Sequence, residues 1–221
     1  MELVVLSAPE DVNDEIGIIK GFFEFGLQRF HLRKPFFSAS QTEYIIKQLP
    51  EHHYSKIVLH EHHHLAEKYK LGGIHFTKKH LKQSVVGMRN FSNMIKPKEG
   101  KTNSASFHSL SEVSENSGNY NYLFLSPVFD SISKKNYPGS FDLIKLKEFF
   151  LQYKMSCSDV ERAKIIGLGG IKIENISIAL DVGFDGVALF GSLWMQKKSE
   201  DIMNTFQQFM EYGIKNPGKG D

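Results

Sequence analysis

Short apolar runs of strand length recur along this chain, each followed by a helix-length stretch, and that alternation restricts the fold more than any other feature. The runs cover residues 3–7, 28–33, 56–60, 73–76, 122–126, 164–168 and 186–190, with a weaker, polar candidate at 104–108. Most are apolar with little alternation, as expected of strands buried on both faces of a parallel sheet. Between them, residues 12–25 place Ile16, Ile19, Phe22 and Phe23 on one helical face, and residues 42–49 do the same with Tyr44, Ile45 and Leu49. Residues 174–180 and 201–212 are the clearest late helices. Strand followed by helix, repeated about eight times, predicts a parallel α/β fold. A closed barrel and an open doubly wound sheet both satisfy the pattern.

A chain of 221 residues fits a single domain, 1–221, with 213–221 as a flexible tail. The net charge is only +2 and the lysines are scattered among acids, which gives no nucleic-acid footprint. Cys157 is the sole cysteine, so neither an internal disulfide nor a thiolate cluster is available. No apolar stretch approaches the roughly 18 residues of a membrane span, and the apolar run at the N-terminus is too short for a signal peptide. These features point to a cytoplasmic protein without membrane or nucleic-acid partners.

Two strand ends carry the most chemistry. Ile165-Ile166-Gly167-Leu168-Gly169-Gly170-Ile171 closes one strand in glycines, and Gly186-Val187-Ala188-Leu189-Phe190-Gly191-Ser192 closes the next. Glycine lets the backbone approach an anion closely, so its amides can face a phosphate. In barrels the loops after strands 7 and 8 recurrently form such a site. The plainer alternative is that the glycines only form turns. A dinucleotide fingerprint is not present, because the spacing of Gly167, Gly169 and Gly170 is not G-x-G-x-x-G.

Five further segments join these two ends in order: QRFHLRKP at 28–35, VLHEHHHLA at 58–66, GIHFTKKHL at 73–81, SFHS at 106–109 and LSPVFDSISKK at 125–135. Together they resemble the thiamine phosphate synthase family, which includes the thiazole tautomerases, over residues 3–194. The resemblance implies a single-domain (β/α)₈ TIM barrel. It also implies the transfer of a pyrimidine methyl group from diphosphate to the nitrogen of a thiazole phosphate, assisted by Mg²⁺. By position, Arg33 and Lys134 correspond to diphosphate cations, and Ser106, Ser131 and Ser133 to hydroxyl donors. The amides of Gly170, Phe190 and Gly191 correspond to the thiazole-phosphate cradle.

The remaining positions depart from the family pattern. Its glutamine is His31 and its lysine is Pro35, with Lys34 alongside; its asparagine–aspartate pair is His60-Glu61, and its second metal aspartate is His80. Imidazole is a poor substitute for the hard oxygen ligands that Mg²⁺ prefers. Histidine at position 31 resembles the tautomerase branch, yet the acid–base histidine of that branch falls at Pro127 here. A tautomerase would have to draw its proton shuttle from His31, His60, His80 or His108. A non-catalytic homologue that keeps the thiazole-phosphate pocket is the third reading.

His60-Glu61-His62-His63-His64 contains H-E-x-x-H, but His60 ends a strand candidate rather than standing on a helix, which argues against a zinc hydrolase. The wider run of His52, His53, His62, His63 and His64 is expected in solvated loops and at a helix start, where an adventitious transition metal is conceivable. His75, inside a strand candidate, is expected to be a satisfied core residue.

Overall fold

The structure is a computed structural model that describes residues 1–8, 10–81, 100–130, 141–156 and 162–216. Eight parallel strands close into a barrel in sequence order: β1 (Glu2–Leu6), β2 (Arg29–Leu32), β3 (Ile57–Leu59), β4 (Gly73–Phe76), β5 (Thr102–Phe107), β6 (Tyr122–Leu125), β7 (Lys164–Leu168) and β8 (Gly186–Leu189). β1 pairs with both β2 and β8, so no sheet edge remains. The closed barrel is therefore the architecture, and the open sheet is excluded. The polar run expected around 104–108 is a full strand.

The described helices are α1 (Glu15–Glu24), α2 (Ala39–Gln48), α3 (His64–Lys68), α4 (Leu110–Asn116), α5 (Leu143–Ser156), α6 (Ile176–Val182), α7 (Gly191–Trp194) and α8 (Ser199–Lys215). α1 starts three residues later than its apolar stripe suggests, and α2 starts earlier, where Ser38 and Gln41 form a capping box. Ser109 and Glu112 cap α4 in the same way. α8 continues through Gly213 to Lys215, so the expected flexible tail is helical for its first turn.

Alternate residues of each strand face out to the helices and in to the barrel axis. Outward residues such as Val5, Phe30, Ile57, Leu59, Leu123 and Ile165 join the main core with Phe22, Phe150 and Phe206 of the helices. The inward side divides in two. Val4, Leu6, Tyr122, Phe124, Ile166 and Ala188 form a small cluster of their own. Facing them, β2 to β5 present His31, His60, His75 and Ser104, all buried.

At the N-terminal end, Asp185 accepts two hydrogen bonds from Arg162 at 2.8 and 3.0 Å and one from the Ile165 amide at 2.7 Å. A groove of about 630 Å³ opens there, lined by Met1, Leu27, Phe209 and Ile214 among others. It lies at the end of the barrel opposite the glycine turns, the end where barrels concentrate stability rather than chemistry. Among the described residues, no helix is long and apolar enough to cross a membrane.

Candidate functional site

The two glycine turns sit side by side. β7 and β8 are hydrogen-bonded neighbours with Leu168 opposite Ala188, so Gly170 and Phe190 leave the barrel at matching heights. Gly169 and Gly170 have φ of 97° and 68°. A side chain at Gly170 would place its Cβ 2.4 Å from the Asp130 carbonyl oxygen, so both conformation and space demand glycine. Asn175 braces the turn, donating from Nδ2 to the Gly170 carbonyl at 2.9 Å and accepting from the Lys172 amide at 2.8 Å. Gly191 opens α7, so its N–H has no partner within the helix. The Trp194 indole N–H pins α7 to the top of β1 through the Leu6 carbonyl at 2.6 Å. Beside these amides, the Ser192 Oγ is buried with no hydrogen-bond partner.

Arg33 reaches this rim from the end of β2. Its backbone is locked to Ser7, whose Oγ accepts from the Arg33 amide at 2.8 Å and donates to the Arg33 carbonyl at 3.0 Å. The guanidinium carbon lies 5.9 Å from the centre of the Phe190 ring, and its charge is felt at Glu61, His60 and His75. Burial raises the Glu61 carboxyl above its ordinary range, against the pull of Arg33. One Glu61 oxygen, Oε2, is buried and unpartnered. Lys34 points the other way. It is buried, and its ammonium donates to Glu15 at 2.5 Å and to the Glu10 carbonyl at 2.7 Å, so it takes no part in the mouth.

Below the rim, three imidazoles from β2, the end of β3 and β4 meet. His31 Nδ1 lies 2.9 Å from His60 Nε2, and His31 Nε2 lies 2.6 Å from the Tyr122 hydroxyl. The His60 and His75 rings stack at 4.1 Å, and His75 engages Ser104 Oγ at 2.8 Å and Ser106 Oγ at 2.9 Å. Burial is the main reason that His31 and His60 titrate well below the ordinary histidine value, and it brings His75 down to about 3. All three are neutral near pH 7. Tyr122 is pushed up to about 12 by the same burial. His75 is thus satisfied, as its place in a strand suggests, but it faces the barrel interior rather than the helices.

Among the described residues, the group whose ligand atoms converge, all within 4.8 Å of one another, is His31, His60 and His75. Glu61 and His80, the metal ligands expected by position, are not part of it. His80 is spent locally: its Nδ1 accepts from the Thr77 amide at 3.2 Å and engages the Thr77 hydroxyl at 3.0 Å, because it caps a short helical turn. Within the histidine run, His62 and His63 are equally committed to structure. His62 Nε2 meets the Phe37 carbonyl at 2.8 Å, and His63 Nε2 meets the carbonyls of His60 and His75 at 3.1 Å each. α3 begins only at His64, so H-E-x-x-H does not lie on one helix. His108 is exposed, with Nδ1 on the Ser126 carbonyl at 2.8 Å. Ser131, Ser133 and Lys134 lie outside the described residues.

The donor set near Glu61 does not suit Mg²⁺. That ion requires six oxygen ligands in near-ideal octahedral order. Waters and substrate phosphates can supply most of them. Glu61, however, is the one carboxylate at the expected positions, and His80 is turned to Thr77. Arg33 and Lys79 place positive charge around Glu61 that opposes a bound cation.

A family model described as thiamine monophosphate synthase matches residues 3–193. A thiamine-phosphate synthase of Staphylococcus saprophyticus is 27% identical over 151 residues, covering 66% of this chain and 61% of that protein. A thiamine-phosphate synthase of Listeria innocua is 30% identical over 119 residues, covering 51% of this chain and 47% of that protein. The chain thus spans between about half and three-fifths of the length of these curated relatives. Among solved structures, a thiamine phosphate pyrophosphorylase from Bacteroides thetaiotaomicron superposes with a TM-score of 0.75 at 28% identity, covering 97% of this chain and 98% of that one.

Proposed function

The chain belongs to the thiamine monophosphate synthase family, and from that premise we propose that it joins a hydroxymethylpyrimidine diphosphate to a thiazole phosphate at the C-terminal mouth of the barrel. The bond between the pyrimidine methylene and the diphosphate oxygen breaks, diphosphate leaves, and the thiazole nitrogen forms the new bond to that carbon. The observation that carries this reading is the meeting of Arg33 with the glycine turns of β7 and β8 on one rim. A cation for the leaving group thereby stands beside a backbone cradle for the second phosphate.

In this reading the amides of Gly170, Phe190 and Gly191 orient the thiazole phosphate, and holding two reactants in line supplies much of the rate. Arg33 stabilises negative charge as it grows on the departing diphosphate, with Lys134, Ser131 and Ser133 assigned to the same task by the family pattern. Ser106 offers a hydroxyl to the substrates while still bonded to His75. His31 and His60 form an uncharged floor to the site. No step is assigned to Mg²⁺, because Glu61 stands within the field of the cations Arg33 and Lys79 and the second expected ligand position is His80, which is engaged with Thr77.

With both substrates supplied, the purified protein is expected to release thiamine phosphate and diphosphate. Arg33→Ala is expected to lower kcat/KM by about 10²–10³ while leaving thiazole-phosphate affinity within a few-fold. Tight thiazole-phosphate binding with no turnover would replace the synthase reading with the binding-only one.

One feature favours a second reading, thiazole tautomerisation. In the neutral His31–His60 pair one ring donates and the other accepts across 2.9 Å, a contact along which a proton can pass. Isomerisation of the thiazole carboxylate phosphate without the pyrimidine substrate would select it. Lys134→Ala should then matter little, since no diphosphate departs.

A further inference from the structure

We propose that His31, His60 and His75 form a site for a divalent transition-metal ion, zinc first among them, in the interior of the barrel beneath the mouth. This inference does not depend on the synthase reading.

Three buried imidazoles are costly to the fold. On the β1, β7 and β8 side the interior is filled by Val4, Leu6, Ile166 and Ala188. On the β2–β4 side the equivalent space holds three imidazoles, buried among one another. Buried polar rings destabilise a core relative to aliphatic side chains of similar size, so their collection at one depth calls for a use. Their spacing is close to that of a metal shell. Nitrogen ligands at about 2.0–2.1 Å from zinc stand about 3.3 Å apart in a tetrahedral shell. The closest pair here is separated by 2.9 Å, and no pair among the three ligand atoms exceeds 4.8 Å. The His60 and His75 rings are inclined by only 25°, so one must turn about χ2 to aim its lone pair, and that torsion is soft in histidine.

Partners that would orient metal-bound rings already surround the triad. A metal-bound imidazole donates its other N–H to a fixed partner that sets the ring's orientation. With His31 Nδ1 on the metal, Nε2–H meets the Tyr122 hydroxyl at 2.6 Å. Whichever nitrogen of His75 binds, the other faces a serine hydroxyl, Ser104 or Ser106. The nearby cations are offset. Arg29 pairs with Glu2 at 2.6 Å below the triad, and Glu61 stands within the field of Arg33 above it. Three imidazoles suit zinc, copper or nickel and exclude Mg²⁺ by ligand type. The fourth position would be filled from the mouth, where His60 follows the last residue of β3. A metal on these lone pairs leaves none of the three rings free as a proton shuttle, so with the site occupied a tautomerase would have to rely on His80 or His108.

The test uses tag-free, full-length protein stripped with a chelator and titrated with zinc chloride by calorimetry, then with cobalt chloride by visible absorption. One equivalent of zinc should bind and survive gel filtration, and cobalt should show the intense bands of a four-coordinate ion. His75→Ala should weaken binding by at least about 100-fold and Tyr122→Phe by about 10-fold, whereas His62→Ala and His64→Ala should leave it unchanged. X-ray absorption at the zinc edge of the wild-type protein should show three imidazoles, a result that stands even if a histidine variant fails to fold. The proposal is overturned if the wild-type protein takes up no zinc, if Mg²⁺ competes on equal terms, or if binding disappears with His62 or His64.

Discussion

The two sides of the barrel mouth are made from different materials. Around β7 and β8 the rim is lined by backbone amides, held by Gly169, Gly170 and Gly191 over an aliphatic interior. From β2 to β5 the polar groups are side chains: Arg33, His31, His60, His75 and Ser106. A site built from backbone ties its chemistry to conformation, so its residues cannot change without disturbing the fold. One built from side chains can be exchanged on an unchanged scaffold, since inward positions of a barrel strand bear little of the outer core. This chain matches its family pattern on the first side, whereas on the second it keeps Arg33 and Ser106 but departs at His31 and His60.

The contrast is sharpest between adjacent residues of the side-chain half, and there the largest effect is expected. Arg33 turns to the mouth, while Lys34 turns outward into a buried pair with Glu15. Burial raises the Glu15 carboxyl and Lys34 counteracts it. Lys34→Met would leave Glu15 buried without its cation, costing about 3–5 kcal/mol in urea unfolding, with kcat per folded molecule unchanged. Lost activity at unchanged stability would move Lys34 into the site and erase the division. Gly170→Ala probes the backbone half. A positive φ together with a Cβ 2.4 Å from a carbonyl oxygen should cost about 2–4 kcal/mol. Unlike Lys34→Met, it should also abolish thiazole-phosphate binding by calorimetry.

The same division explains what could be read from the sequence. Buried parallel strands announce themselves as apolar runs, so the barrel was legible, and the glycine-rich strand ends marked the two turns that the structure sets side by side after β7 and β8. The exception was β5. Its Ser104 and Ser106 look unsuited to a strand until the structure shows them facing inward onto His75. The histidine triad was hidden for a related reason. His31, His60 and His75 lie in three separate segments, and only the register brings them together: Val58 pairs with Gly73 and Leu59 with Ile74, so His60 comes level with His75. The eye-catching run His62-His63-His64 is a loop and helix start whose first two rings bind backbone carbonyls. Lys34 shows the same limit, because one residue of register separates a mouth cation from a buried structural one.

The two sides should also differ in acid. Histidines of the unfolded chain take up protons near pH 6.5. In the folded protein His75 does so only at about 3 and His63 at about 4, with His31 and His60 also held well below the ordinary value. Between pH 6.5 and about 4 the unfolded state therefore binds more protons. Stability is complete above pH 6.5 and falls on acidification, by up to about 1.4 kcal/mol per pH unit for each such histidine. Urea midpoints measured from pH 7 to pH 5 should decline accordingly, and His75→Phe should flatten the slope by one histidine's share. A profile flat over that range would mean that the interior imidazoles are hydrated and the polar half is open to water.

The smallest effect comes from a single hydroxyl on each side, and its sign carries the information. Ser104 Oγ is bonded to His75 at 2.8 Å, so Ser104→Ala strips a buried partner and should lower stability by about 1–2 kcal/mol. Ser192 Oγ is buried without a partner beside the glycine turns. A hydroxyl in that condition costs free energy until something bonds it, and a phosphate oxygen at the rim would do so. Ser192→Ala should therefore leave the free protein as stable as before or slightly more so, by up to about 1 kcal/mol, while weakening thiazole phosphate about 3- to 10-fold. Thermal melts with and without that ligand read both quantities, because the ligand-induced shift shrinks as affinity falls. A free protein that melts lower after Ser192→Ala would show that the hydroxyl serves the fold, and the rim would then have to hold its phosphate by amides alone.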